Sequence, residues 1–443
     1  MTTARTPGGG GSRGVTWGRR ITGRRGGVRL LAAGAFAVAL AAAGCGGSSG
    51  GGGGGGSKTL TELDYFEGGN GQAIIWYNKH FEATHPGWKV KRELVPFANL
   101  MPKVLQAASA GVMPNIVFID NPNVPQVAAT GQLRPIDSQP GFTTAGYTPG
   151  AINECTFQGK HYCYPVGTNS VGIFYNKQML AAAHVPPPKT WAELVSAAQK
   201  LTKGNVKGIA FDATQDEQST WQLEPFFWSN GGSLTNVNTP AVEQALQTWV
   251  TMVKNGSASK SVLNWGQDPD LTQQFLHKKA AMIEDGPWIF PELNQAHWKY
   301  NKQYGIVPIP TRVAGQKVIA PLGGETEDLG NSGSDEQKKM AWEYVKGMQQ
   351  PSVMLHVDSL MFYLPTKPAV IDQELKQGPQ FTVFAHETES ARPRTTEYGS
   401  NYPKVSQAIW TAIQAAITGT ASPSSALNTA QTTISSVPQV KGG

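Results

Sequence analysis

Acidic residues near apolar segments are the first candidates for chemistry in this sequence. Asp120, Glu224, Asp285 and Glu325 lie in or beside such segments, and a facing pair of carboxyl groups is the machinery that cleaves glycosidic bonds. That reaction needs about 5–9 Å between the two carboxyl groups, a separation that spacing along the chain does not fix. Acids at strand ends more often bind hydroxyl groups or cap helices, so a binding role is the preferred interpretation.

Motifs for phosphate and metal chemistry are missing from the sequence. There is no GxxxxGK[ST] phosphate loop and no HExxH zinc motif. The eight histidines are scattered, without a metal-ligating pair on one helix face, and a surface or packing role is expected for each. We therefore predict no metal site, no cofactor, no catalytic residue and no enzymatic activity.

Aromatic residues give a more specific indication. All but one of the 12 tryptophans follow residue 57, and most are expected in the core. Trp228 and Trp288 differ, because each lies beside Gly or Pro at the end of a segment, in FFWSNGG and EDGPW. An indole in that position can pack its flat face on a sugar ring, while the sugar hydroxyls bond to acids and amides.

The elements that would position these residues alternate between strand and helix. Leu60–Phe66 and Asn115–Asp120 are predicted strands, and Leu100–Ala110 is a predicted helix that ends at Gly111. Capping sequences begin further helices at Thr190 and at Ser334. This order predicts an α/β fold in which helices cover both faces of each sheet.

The N-terminus has the pattern of an export signal. Residues 1–44 contain seven arginines and no acid, and Leu30–Ala43 is an apolar run shorter than the ~20 residues of a membrane span. Ala42-Ala43-Gly44-Cys45 resembles the bacterial lipobox, with Ala42 where Leu is usual. Residues 46–57 form a Gly/Ser tether. We predict a lipoprotein signal peptide (1–44), a lipid on Cys45 and an exported protein anchored to the outer face of the cell membrane.

The net charge of +6 is concentrated in this N-terminal segment. Without its seven arginines, 30 basic residues face 31 acidic residues. The body is therefore close to neutral, which argues against a nucleic-acid partner and against binding to the membrane by surface charge. Contact with the membrane is expected through the lipid anchor only.

Cys155 and Cys163 flank a short segment with Gly159 at its centre, which is typical of a hairpin. The two arms of such a hairpin could bring the sulfur atoms together. In an oxidising compartment a disulfide is favoured over two free thiols.

Eight segments together resemble a known family. They are ASAGVMPNIVFID, ATGQLRPID, GKHYCYPVGTNSVGIFYNKQML, PPKTWAEL, EPFFWSNGGSL, FLHKKAAMIEDGPW, YGIVPIP and GGETEDLG. In this order, from about Leu60 to Ile434, they resemble the extracellular solute-binding proteins of ABC importers, in the family that includes the maltose-binding proteins.

The resemblance implies a two-lobed periplasmic-binding-protein-like fold of type II, with a hinge that several segments cross. One lobe would comprise residues 58–170 and 307–347, and the other residues 171–306 and 348–443. A sugar or oligosaccharide would bind in the cleft, the lobes would close on it, and the loaded monomer would dock on the transmembrane subunits of an ABC permease.

Site residues also follow from the resemblance. Trp288 stands at the family's sugar-stacking position, and Glu224 and Phe226 match an acid and an aromatic residue on the sugar. Trp228 is the second candidate for stacking. Strand-end loops that commonly face the cleft supply the remaining candidates, which are Glu67, Asp120, Asn121, Asn169, Gly323, Gly324, Glu325 and Arg394.

Three alternatives remain open at this point, and one of them is a surface sensor or adhesin that uses the same fold. A secreted glycoside hydrolase would use two of the acids for catalysis and would need no large domain closure. A binding protein for another solute, such as a polyamine, would need more carboxylates in the cleft than the sequence indicates.

Overall fold

Two helix-covered β-sheets form the two lobes of the protein. The structure, a computed structural model, describes residues 58–375, 378–388 and 391–440. The predicted signal peptide, Cys45 and the Gly/Ser tether lie outside the described residues. Within the described residues the strands are β1 Thr59–Asp64, β2 Lys89–Leu94, β3 Ile116–Asp120, β4 Thr156–Phe157, β5 Lys160–His161, β6 Cys163–Pro165, β7 Gly172–Asn176, β8 Met282–Asp285, β9 Tyr304–Val307 and β10 Glu325–Leu329.

The α-helices of the same ranges are mostly short. They are α1 Gly68–Thr84, α2 Phe97–Ala110, α3 Val124–Ala128, α4 Pro149–Glu154, α5 Lys177–Ala182, α6 Trp191–Leu201, α7 Glu217–Ser229, α8 Pro240–Lys254, α9 Thr272–Leu276, α10 Phe290–Gln295, α11 Asp335–Met348, α12 Pro351–Met361, α13 Pro368–Leu375, α14 Thr382–Thr388, α15 Tyr402–Thr418 and α16 Pro423–Ser435.

Local sequence signals define several of these boundaries. Capping boxes at Thr190 and Ser334 begin α6 and α11, as predicted. Gly111 ends α2 in the left-handed conformation, at φ 69°, which glycine adopts without steric cost.

The first lobe is built on a five-stranded sheet in the order β2-β1-β3-β10-β6. Strand β1 is parallel to both of its neighbours, whereas β10 runs antiparallel to β3 and β6. All five residues of β3 are buried, as its apolar sequence predicts. The second lobe contains a three-stranded antiparallel sheet in the order β8-β7-β9. The predicted α/β class is confirmed.

Helix α12 packs on the first lobe and not, as the predicted boundaries imply, on the second lobe. The predicted boundaries place residues after 347 in the second lobe, but α12 packs on α1 of the first lobe, where the ring centroids of Trp76 and His356 are 4.0 Å apart. Strand β10 lies in the first sheet, and β7 and β8 lie in the second. The remaining lobe boundaries stay a prediction.

A disulfide joins the end of α4 to β6. The sulfur atoms of Cys155 and Cys163 are 2.16 Å apart, and both residues are fully buried. The hairpin of β4 and β5 lies between them in the chain, which is the geometry that Gly159 suggested. In the part of the chain described here, no helix has both the length and the apolar character to cross a bilayer.

Candidate functional site

A cavity of about 230 Å3 is lined by residues of both lobes. Most of its apolar wall consists of aromatic rings, which are those of Tyr65, Phe66, Phe97, Trp221, Trp288 and Tyr363. Its carboxyl groups are those of Glu67, Asp120, Glu217, Asp268 and Glu325. Arg394 is the one cationic residue among the described residues that lines it, and the side-chain amides are those of Asn70, Asn169, Gln218 and Gln267.

Strand ends and a helix start place these groups. In the antiparallel register of β3 and β10, Asp120 at the end of one strand lies opposite Glu325 at the start of the other. Helix α7 begins at Glu217, one residue after Asp216, whose carboxylate accepts from the Gln218 amide nitrogen at 3.0 Å and caps the helix. The sheet of the first lobe and this helix of the second thus contribute acids to one cavity.

Trp288 reaches the cavity from a turn that follows β8. Gly286, two residues earlier, has the indole folded against its backbone, and a β-carbon built there would lie 2.1 Å from the Trp288 ring. Glycine at this position is therefore what permits the ring orientation. The residue is 9% exposed.

Arg394 joins acids of both lobes at the base of the cavity. Its Nη2 donates to Asp120 Oδ1 at 2.8 Å and to Asn121 Oδ1 at 2.6 Å, and its Nη1 donates to Glu217 Oε1 at 2.8 Å. The guanidinium also lies 4.5 Å from the centre of the Trp221 ring. Burial lowers the pKa of Arg394, but Asp120 and Glu217 more than offset this and hold it well above its usual value. The arginine is therefore a permanent, buried positive charge.

Behind this ion cluster lies a second glutamate. Burial, with the charge of Glu217, raises the pKa of Glu224 well above its usual value. The Tyr402 hydroxyl bridges the two acids, donating to Glu217 Oε1 at 2.7 Å and lying 3.0 Å from Glu224 Oε1. Glu224 is thus a support for Glu217 rather than part of the cavity wall.

Glu325 is bound by two tyrosine hydroxyls. Tyr65 donates to its Oε1 at 2.5 Å, and the Tyr363 hydroxyl is a second partner. Burial is the main cause that raises the pKa of Glu325 to about 8, with a further contribution from Asp120. This carboxyl is therefore largely protonated at neutral pH when the cavity holds no cation.

Two further hydrogen bonds join the two lobes. The side-chain nitrogen of Asn70 donates to the backbone oxygen of Trp288 at 3.0 Å, and the Gly69 amide donates to Glu292 Oε1 at 3.3 Å. Burial, together with the charges of Glu292 and Glu67, raises the pKa of Asp268 in the same region to about 7. The start of α1 is thus in contact with the turn that carries Trp288.

No group of three or more His, Cys, Asp or Glu residues within the described ranges could hold a metal ion. Acids, amides and rings around a cleft are suited to binding a small polar solute.

Comparison with known families identifies this architecture. The model of the bacterial extracellular solute-binding protein family matches residues 76–383. The chain belongs to this family. A relative from Brucella abortus, named as a binding protein, is 23% identical over 275 residues, which are 60% of this chain. The alignment covers 65% of that relative's own length, just under two thirds.

Solved structures agree on the fold of this solute-binding protein. An ABC transporter solute-binding protein from Thermotoga lettingae, bound with alpha-D-tagatose, has a TM-score of 0.78 and 25% identity, with 85% of this chain and 99% of that chain covered. Maltose-bound MalE3 of T. maritima has the same TM-score and coverage at 21% identity. The predicted two-lobed fold is confirmed.

The cavity brings together seven of the predicted site residues. These are Glu67, Asp120, Asn169, Trp288, Gly324, Glu325 and Arg394. Two others lie directly behind the wall. Asn121 accepts from Arg394, and Gly323 pairs with Asn169 through two backbone hydrogen bonds of 3.0 Å. A ligand contact for these residues stays a prediction.

Three predicted residues of α7 do not reach the cavity. Phe226 is 1% exposed and packs between Trp191 and Trp249 in the core of the second lobe. Trp228 is also 1% exposed, and Glu224 is fully buried behind Glu217. The structure does not fit ligand contacts for these side chains, because α7 runs from the cavity into the core and only its first turns face the cleft.

Residues that the sequence analysis missed include Tyr65, Asn70, Glu217, Trp221, Asp268 and Tyr363. The first turns of α7, rather than the EPFF segment, line the cavity, and the available signal is the Asp216 cap that precedes Glu217. Tyr65 immediately follows β1, in the same strand-end loop as the predicted site residue Glu67.

Proposed function

We propose that this solute-binding protein captures a sugar or oligosaccharide between its lobes and delivers it to the transmembrane subunits of an ABC importer. The protein would carry out no reaction on its ligand. Closure of the lobes around the ligand would exclude water and strengthen each hydrogen bond in the cleft.

The composition of the cavity wall carries the proposal. Trp221 and Trp288 provide flat apolar surfaces on which the C–H groups of a sugar ring can pack. Carboxyl and amide groups such as those of Asp268 and Asn70 lie on the same wall. Oxygen acceptors that lie beside aromatic faces are the combination that a ring bearing hydroxyl groups requires.

Known structures of the same fold support a carbohydrate ligand. The Thermotoga lettingae protein holds tagatose and the T. maritima protein holds maltose. The Thermotoga lettingae protein is described as a solute-binding protein of an ABC transporter. We extend the ligand class and the importer from those proteins to this chain.

The arrangement of acids favours binding over glycoside hydrolysis. Asp120 of the first lobe and Glu217 of the second are both hydrogen-bonded to the Arg394 guanidinium. A glycosidase needs one carboxylic acid that can donate its proton and one free carboxylate. Both oxygens of each acid are already hydrogen-bonded, those of Asp120 to Arg394 and those of Glu217 to Arg394 and Ser406, so neither carboxyl group is free to act on a glycosidic bond.

The cellular arrangement is part of the same proposal. Export by the signal peptide and a lipid on Cys45 would keep a monomeric body near the outer face of the membrane, on its Gly/Ser tether. A Cys45→Ser variant is expected to appear in the culture medium instead of the membrane fraction. Membrane retention of that variant would contradict the lipid anchor.

A thermal-shift screen over mono-, di- and oligosaccharides, polyols and polyamines tests the ligand class. A true ligand at 100 times its dissociation constant is expected to add ~2.7 kcal/mol to the free energy of unfolding. The absence of a shift with every carbohydrate would contradict the proposal.

Two further measurements separate the alternatives. Chromatography of the bound oligosaccharide after prolonged incubation is expected to show unchanged ligand, and hydrolysis products would support a glycosidase instead. Deletion of the gene is expected to abolish uptake of the same ligand by the cell. Normal uptake would contradict the role in import.

A further inference from the structure

The cavity has more acid than its arginine can neutralise. Arg394 is bonded to Asp120, Glu217 and Asn121, and these contacts use both of its terminal nitrogens. Three other carboxyl groups line the cavity, on Glu67, Asp268 and Glu325. Within the described ranges, none of these three forms an ion pair with a Lys, Arg or His.

An unsatisfied acceptor lies on the same wall. Asn70 is 6% exposed and lines the cavity, and its side-chain nitrogen is fixed by the bond to the backbone oxygen of Trp288. Its Oδ1 atom is buried and has no hydrogen-bond partner within the described residues. A buried acceptor without a hydrogen-bond partner destabilises the protein by about 1–3 kcal/mol. A donor group on the ligand would remove this penalty by bonding to the oxygen.

The carboxyl groups come from both sides of the cleft. Glu67 precedes α1 in the first lobe, while Asp268 lies in the second lobe. The charge of Glu67 contributes to raising the pKa of Asp268. The charges of Glu325 and Asp268 both contribute to raising the pKa of Tyr363, which lines the cavity as well. Closure without a cation therefore brings like charges together, or requires that some of these groups take up protons.

Aromatic rings add a second attraction for positive charge. The face of Trp221 already accepts the guanidinium of Arg394 at 4.5 Å. Phe97, Tyr65 and Trp288 line the remaining wall and offer further faces to a ligand. Arg394 Nε is buried without a partner among the described residues, so it is a donor available to a ligand hydroxyl.

We propose that the ligand is an amino sugar, or an oligosaccharide that contains one, and that its ammonium group is bound by Asp268, Glu325 and Asn70 Oδ1. The inference rests on the proposed carbohydrate-binding function and narrows its ligand class. The hydroxyl groups of the ligand use Arg394 Nε and the amides, and its ring packs on an indole.

Matched probes that differ only at the amine test this inference. The full-length protein is titrated at pH 6.5 with glucosamine, N-acetylglucosamine and glucose, and with the corresponding β-1,4-linked dimers. The amine-bearing member of each set is expected to raise the melting temperature at a concentration at least tenfold lower than its neutral partners need. Spermidine, which has charge but no ring or hydroxyl groups, is expected to bind more weakly than the aminated dimer.

Isosteric variants locate the charge effect. Asp268→Asn and Glu325→Gln are each expected to reduce the preference for amine over neutral probe by about tenfold. Glu336→Gln, at an exposed position in α11 away from the cavity, is the matched control and is expected to keep the preference.

Each outcome decides between the two proposals. If glucose or N-acetylglucosamine forms bind as tightly as the amines, the inference is wrong and carbohydrate binding stands. If Asp268→Asn and Glu325→Gln both leave the preference unchanged, the assigned ammonium site is wrong. Stabilisation by spermidine alone would overturn both the inference and the proposed function. Stabilisation by no probe would overturn the inference, and the wider carbohydrate screen would then decide the proposed function.

Discussion

The side-chain nitrogen of Asn70 lies 3.0 Å from the backbone oxygen of Trp288, and this hydrogen bond joins the two lobes between residues that both line the cavity. One partner lies in the first turn of α1 and the other in the turn after β8. The contact fixes the turn that carries the indole. It also uses the donor of Asn70 and leaves its acceptor for a ligand.

Gly69→Ala is expected to weaken ligand binding by at least tenfold. A β-carbon at Gly69 would lie 2.1 Å from Cβ of Pro291 in α10, so the variant forces the lobes apart at this contact. The dissociation constant and the radius of gyration in solution are the quantities to measure, and both are expected to rise. Gln72→Ala, an exposed position on the same helix, is the control. Equal affinities for the two variants would contradict the contact.

Arg394→Gln is expected to lower the free energy of unfolding by about 3–5 kcal/mol, because it leaves buried acids of both lobes without their cation. Arg392→Gln removes a more exposed arginine that pairs with Glu397, and less than about 1 kcal/mol is expected. Urea denaturation measures both. Similar losses for the two variants would show that the Asp120–Arg394–Glu217 cluster is not a structural link.

Stability is expected to fall as the pH rises from 5 to 8. The folded-state pKa of Glu325 is raised from 4.5 to about 8, so the folded protein binds a proton there that the unfolded chain has already lost. Besides burial, the charge of Asp120 raises this pKa, while Tyr65, Tyr363 and Arg394 lower it.

Each such proton lowers the free energy of unfolding by about 1.4 kcal/mol per pH unit in that window. Urea denaturation at several pH values is expected to give a shallower slope for Glu325→Gln than for the wild type. Other buried acids whose pKa is raised, such as Glu62, keep part of the slope in both proteins. Identical slopes would contradict the buried, protonated state of Glu325.

Reduction of the disulfide is expected to destabilise the first lobe. Cys155 and Cys163 are 8 residues apart in sequence, and closing a loop of this size contributes about 2–3 kcal/mol in the chain-entropy model. Dithiothreitol is expected to lower the urea midpoint of the wild type. The Cys155→Ala/Cys163→Ala double variant serves as the control, and a midpoint that shifts equally in both proteins would argue against the bond.

Features that depend on neighbouring residues could be predicted from the sequence. Short segments predict the caps at Thr190 and Ser334 and the buried strand Asn115–Asp120. They also predict the position of Trp288 at the end of a segment, directly after Gly286 and Pro287. Each of these is fixed by a local backbone geometry, and each was found.

Features that depend on how the two lobes assemble could not be predicted from the sequence. Every residue of α7 from Ser219 to Ser229 is buried, so no polar face distinguishes the turn beside the cavity from those in the core. Glu224 and Phe226 are the residues that the family resemblance implies, whereas Glu217 and Trp221 are the residues of α7 that line the cavity. The packing of α12 on α1 was missed for a related reason, because its partner lies more than 250 residues earlier in the chain.

Binding of the carbohydrate found in the screen to Trp288→Ala tests the central claim most directly. Calorimetric titration is expected to show at least a hundredfold loss of affinity, because the variant removes a ring of the cavity wall. Trp76→Ala, which removes a half-buried indole stacked on His80 outside the cavity, is expected to bind as the wild type does. Unchanged affinity in Trp288→Ala would contradict a ligand site between the lobes.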